Sequence, residues 1–102
     1  MARWKKPSKE EVRELRQILA ERARHGALRL PGAVLEIRKS FGMTQEEFAK
    51  TLGLTRRQVA EIETGTGNPT LETLEKIGRL FGFSVGFVPK TPRDDEPRSP
   101  LA

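Results

Sequence analysis

Thr44-Gln45-Glu46-Glu47-Phe48-Ala49-Lys50-Thr51-Leu52-Gly53-Leu54-Thr55-Arg56-Arg57-Gln58-Val59-Ala60-Glu61-Ile62-Glu63-Thr64-Gly65 decides how this chain reads. Thr44 to Glu47 is a Thr-x-x-Glu box. Its hydroxyl and carboxylate suit the first unpaired amides of a helix. Phe48, Ala49 and Leu52 then fall on one helical face, and Gly53-Leu54 breaks the run. Thr55 to Gln58 is a second box, of the Thr-x-x-Gln kind. It opens a helix with Val59 and Ile62 three apart, until Glu63-Thr64-Gly65 ends it. The spacing predicts two short helices joined by a tight glycine-containing turn.

The neighbouring stretches carry their own punctuation. Ser8-Lys9-Glu10-Glu11 is a Ser-x-x-Glu box opening a helix to about Arg24, with Val12, Leu15, Ile18 and Leu19 as its apolar stripe and Gly26 as its stop. Pro31 suits the first turn of a helix that runs through Val34, Leu35, Ile37 and Phe41 to Gly42. Thr66-Gly67-Asn68-Pro69 is a loop by composition. Thr70 caps a last helix with Leu71, Leu74, Ile77, Leu80 and Phe81 on its core face, ended by Gly82. Phe83-Ser84-Val85-Gly86-Phe87-Val88 alternates with period two, which predicts a strand. The expected organisation is a flexible basic arm at 1–7, a helix within 8–26, a helical domain at 31–82, a strand at 83–88 and a disordered tail at 89–102. That tail holds four prolines among its charges.

At 102 residues without cysteine, the chain is sized for one domain and can form neither a disulfide nor a cysteine-based metal site. No segment approaches the roughly 18 apolar residues of a membrane span. The basic start is not followed by the apolar run of a secretory signal. The cytoplasm is the default location. The net charge of +5 is unevenly placed: residues 1–29 carry nine Lys/Arg against four Asp/Glu, while 30–88 and 89–102 are each balanced. A basic excess favours a polyanionic partner through counterion release, although lysine and arginine also simply solvate helices.

A helix pair of this spacing is a helix-turn-helix, whose second helix can lie in the DNA major groove. The pattern Arg38-x3-Gly42-Met43-Thr44-Gln45-x2-Phe48-Ala49-x2-Leu52-Gly53-Leu54-Thr55-x3-Val59-x2-Ile62-Glu63-x-Gly65-x3-Pro69-Thr70 closely resembles the Xre/Cro-type domain of lambdoid repressors and many bacterial regulators. The resemblance covers about residues 31–82. It implies an all-α, five-helix lambda-repressor-like domain, to which the 8–26 helix and the strand would be additions. It also implies a transcriptional repressor, a homodimer on a palindromic operator, with double-stranded DNA as partner and no cofactor.

The resemblance carries over to particular positions. Gln45 matches the family's phosphate-clamping glutamine, beside Thr44 at the same helix start. Arg56 and Arg57, after Thr55, match base-reading positions, and arginine can bind guanine O6 and N7 with two hydrogen bonds. Gln58 and Thr64 match positions that touch the backbone or a base edge. Glu61 matches a third reading position, where an acid either accepts from cytosine N4 or faces water as a bystander. Arg38 and Glu63 match a family ion pair behind the recognition helix. Relatives often carry a cation in the loop where this chain has Thr66-Gly67-Asn68, so Arg3, Lys5 and Lys6 of the arm are candidates to substitute. The alternative for each arginine and arm lysine is a solvated charge.

Nothing points to catalysis. His25 sits at a helix end, where it suits the dipole. Asp94-Asp95-Glu96 is an acidic run in the tail and not a metal site. Gly65-x-Gly67 follows no strand, which excludes a nucleotide-binding loop. One histidine and no cysteine offer no nucleophile and base, so an enzyme is not expected.

A lone strand needs a partner for its backbone. The expected partner is the same strand of a second copy, with Phe83, Val85 and Phe87 as the dimerisation face. The alternative is that 83–88 packs back on its own domain. A helix-turn-helix followed by such a strand also resembles, over that short stretch, the HipB-like antitoxins. That resemblance implies a cognate protein toxin as a second partner and autoregulation of an operon.

Overall fold

The computed structural model describes residues 5–90. Among them the chain makes five α-helices: α1 (Lys9–Arg24), α2 (Gly32–Ser40), α3 (Gln45–Leu52), α4 (Arg56–Thr64) and α5 (Leu71–Phe81). The start signals act as hydrogen bonds. Ser8, Thr44 and Thr55 each accept the amide three residues on, and Glu11, Glu47 and Gln58 return a side-chain oxygen to the cap amide. Thr70 caps α5 through the Thr73 amide. Such a cap is worth about 0.5–2 kcal/mol, which matters for helices of eight to eleven residues.

The core is a single cluster. Phe48 and Val59 are completely buried, and Val34, Ile37, Leu52, Ile62 and Ile77 close around them. Phe81 of α5 stacks on Phe48 at 5.2 Å and meets Phe41 edge-on at 4.8 Å. Lys76 of α5 donates to the Leu52 carbonyl at 2.9 Å, placing a cation at the negative end of α3.

Several expectations are corrected here. The span 31–82 holds four helices rather than five. α1 is the fifth, and it belongs to the shared core through Leu19. Its inner edge is not Val12, Leu15, Ile18 and Leu19. Leu15 is exposed and Ile18 is 57% exposed. The half-buried or buried positions are Val12, Leu19, Ala20 and Ala23, and between the first two the Arg16 guanidinium lies 4.7 Å over the Phe41 ring. A long arginine stem thus covers apolar surface at a place where the pattern showed only a charge. On α5, Leu71 and Leu80 lie outside the core, while Gly78 is buried in it.

The strand at 83–88 is not formed; these residues have no regular structure. The reason lies in α5. Gly82 takes a left-handed φ of +90°, and the Phe83 amide donates to the Gly78 carbonyl at 2.7 Å. The Phe83 carbonyl then crosses Gly78 so closely that a Cβ there would stand 2.5 Å from it. The chain doubles back over α5, and Val88 comes to rest beside Gly26 at the end of α1. Residues 84–88 share no backbone hydrogen bond with another described residue. No described helix is long and apolar enough to cross a membrane.

Candidate nucleic-acid interface

α3 and α4 are set against each other by the turn at Gly53, whose φ of +70° is left-handed and which lets the Leu54 amide reach back to the Ala49 carbonyl at 2.9 Å. Behind the turn lies a buried ion pair. The Nε and Nη2 of Arg38 donate to Oε2 and Oε1 of Glu63, the latter at 3.1 Å, and Nη1 donates to the Met43 carbonyl at 2.9 Å. The two side chains are 8% and 4% exposed, so the charges are shielded from water. Among the described residues no buried side-chain polar atom lacks a partner. This pair fastens α2 to α4.

The pair reaches outward through Gln45. Its Nε2 donates to Glu63 Oε1 at 3.0 Å, and its Oε1 accepts a long 3.5 Å contact from Arg56 Nε. Gln45 therefore couples the base of α4 to the ion pair, with its side chain turned inward. The Gln45 and Glu46 amides have no acceptor among the described residues, as Thr44 caps the next one. They open on a shallow hollow of about 350 Å³ flanked by Lys39 and Arg56. Two free amides at a helix start, with cations on either side, suit a phosphate oxygen.

α4 presents Arg56 and Arg57 in its first turn, which holds no acid of its own. Cations at this end of a helix oppose its dipole, at a cost of about 0.3–1 kcal/mol each. Arg57 is 87% exposed and meets Glu61 at 3.7 Å, the outer limit for an ion pair. Glu61 is half-buried, facing Arg57 on one side and Gly67 of the following loop on the other. Gln58 gives its oxygen to the Thr55 amide at 2.8 Å, which leaves its NH2 as a donor. The Thr44 and Thr55 hydroxyls act as cap acceptors and keep their own protons to donate. Thr64 donates to the Ala60 carbonyl and meets Thr66 at 2.9 Å.

The arm residues divide. Arg3 lies outside the described residues, as does the tail beyond Lys90. Lys5 is exposed. Lys6 bonds to Glu47 Oε2 at 2.8 Å, and Pro7 lies close against Gly42, so the end of the arm is anchored on the fold. The Lys6 ammonium, and after it the Thr44 amide, hold the Glu47 carboxyl down at about 2. His25 bonds to Glu21 at 3.0 Å, and His25 and Arg24 together lower the Glu21 carboxyl. Phe83 is half-buried against the core, whereas Val85 and Phe87 are exposed.

The sequence reading missed Lys39, Gly78 and Lys76. Gly78 carried a signal: a glycine amid Leu74, Ile77 and Phe81 weakens a helix by about 1 kcal/mol and marks a close backbone approach. Lys39 and Lys76 carried none: the hollow beside Lys39 exists only once α2, α3 and α4 pack, and the Leu52 carbonyl that Lys76 meets is 24 positions away.

A helix-turn-helix family model matches residues 34–88 of the chain. Two proteins of Archaeoglobus fulgidus, each named an uncharacterized HTH-type transcriptional regulator, are 44% and 40% identical over 52 residues. That is 51% of this chain and 74% and 73% of theirs. The HTH-type transcriptional regulator PuuR of Escherichia coli is 34% identical over 70 residues, 67% of this chain but 38% of its own length. No solved structure is a significant match.

Proposed function

The chain belongs to the helix-turn-helix family of DNA-binding transcriptional regulators, and from that membership we propose a sequence-specific repressor that acts in the cytoplasm as a homodimer on a two-fold-related site. The observation that carries the reading is the start of α4, where two exposed arginines stand against the helix dipole. Glu61 offsets part of that cost at the long 3.7 Å contact with Arg57, and the phosphates that flank a base edge offset the rest. α3 clamps a phosphate through the Gln45 and Glu46 amides, with Lys39, Thr44 and Thr55 around it. Arg56 and Arg57 read bases, Gln58 and Thr64 line the groove wall, and Glu61 orients Arg57. Lys5, Lys6 and Arg3 add contacts that are blind to sequence. The protein is a regulator and not an enzyme.

Selection from a random duplex pool should return half-sites about one helical turn apart, near 34 Å. Arg57→Ala should lose about 1–3 kcal/mol at one base position and relax preference there. Equal losses on the selected site and on random DNA would refute base reading by Arg57. The antitoxin reading rested on a strand at 83–88, and no observation favours it.

A further inference from the structure

One face of the molecule carries both a hollow and a projection. The hollow is an apolar groove of about 380 Å³ between the end of α1, the start of α2 and α5. Ala23, Ala33, Ile37, Leu74 and Ile77 are among its walls. The segment 83–88 forms its rim, and there the Phe87 side chain stands fully in water, at 106% of its reference exposure. Leu30, Val85 and Val88 are exposed beside it. Four large apolar side chains thus stand in water on the rim of one apolar groove, a concentration that favours an interaction site over singly scattered surface residues.

Resting on the homodimer reading above, we propose that this groove takes the Phe87 side chain of a second copy of the chain and gives its own Phe87 in return. A two-fold interface uses the same patch twice, so it needs a projection and a matching hollow on one face. This face has both. It also suits self-association electrically: Arg29 is the one charged residue among the described lining, while the chain as a whole carries +5. Two copies meeting here keep most of their like charges apart. The segment's backbone is uncovered at Gly86, where an added Cβ would meet nothing. A benzyl group is small against 380 Å³, which leaves room for the rim of the partner. The groove is lined by α1, α2, α5 and the segment after α5, and by no residue of α3 or α4. Docking here leaves Arg56 and Arg57 open to DNA.

The test is a complementation. Phe87→Ala removes the projection, and Ala23→Trp fills the hollow. Sedimentation of the full chain should show a wild-type dimer and, for each variant alone, self-association weakened by at least about tenfold. Helical circular dichroism should be unchanged in both. An equimolar mixture of the two variants keeps one intact projection and one intact hollow, so it should recover a heterodimer visible by native mass spectrometry. A Phe87→Ala protein as dimeric as wild type would overturn the proposal and leave the homodimer standing. Folded variants that fail to recover when mixed would overturn reciprocal insertion. Wild-type protein that dimerises only after residues 91–102 are removed would show the tail in the groove instead. A wild type that stays monomeric even on its selected DNA site would overturn the homodimer reading itself.

Discussion

The α3–α4 pair and the segment 83–88 are both short apolar-patterned stretches punctuated by glycine, yet one forms as its pattern indicates and the other does not. In α3–α4, each helix start is closed by its own box and the turn by Gly53, so local preference and tertiary need coincide. In 83–88 the alternation is real, but a strand needs a ladder, and no described residue supplies one. What anchors that segment is the backbone crossing at Gly78, with Phe83 against the core and Val88 beside Gly26. A pattern is reliable where its hydrogen bonds are internal to it, and unreliable where they must come from elsewhere.

Three experiments would break or sharpen that contrast. The largest effect is expected inside the helix pair. Glu63→Ala leaves Arg38 buried without its counter-charge, and chemical denaturation should show a loss of about 3–5 kcal/mol. A loss under 1 kcal/mol would mean that the pair is not what fastens α4. Next comes the crossing. Gly78→Ala puts a methyl into the Phe83 carbonyl and should cost about 1–3 kcal/mol by the same measurement. Gly86→Ala, in open space, should stay within about 0.5 kcal/mol. Equal values for the two glycines would show that the crossing does not hold the segment.

The smallest effect belongs to the arm. Glu47 has a folded carboxyl held at about 2, below the ordinary 4.5, so its pairing with Lys6 favours the fold above about pH 4.5 and fades as pH falls through about 2. The pair is exposed and screened, so the readout is the titration itself. By carboxyl NMR, Lys6→Ala should move the Glu47 midpoint upward, part of the way to 4.5, because the Thr44 amide still bonds to it. An unmoved midpoint would show that Lys6 is not docked.

How much the sequence disclosed follows the same line. Helix starts at Ser8, Thr44, Thr55 and Thr70 were legible because a cap is a local bond between residues three apart. The partnership of Arg38 with Glu63 was legible only through family resemblance, since 25 positions separate them. The inner edge of α1 was misread because Arg16 covers Phe41 with its stem, which a count of apolar residues cannot register. Arg56 and Arg57 were placed correctly on the helix start, but the inward turn of Gln45 onto Glu63 required the fold.

Under the proposed function, the arginines at the start of α4 set stability and use in opposition. Acids at those two positions would suit the helix dipole better, by about 0.3–1 kcal/mol each, and would repel any polyanion. A library of this chain ranked only by heat resistance would therefore drift toward Asp or Glu at 56 and 57, becoming sturdier as it lost the two cations proposed to read a duplex. Thermal screening of this scaffold has to be paired with a binding screen from its first round.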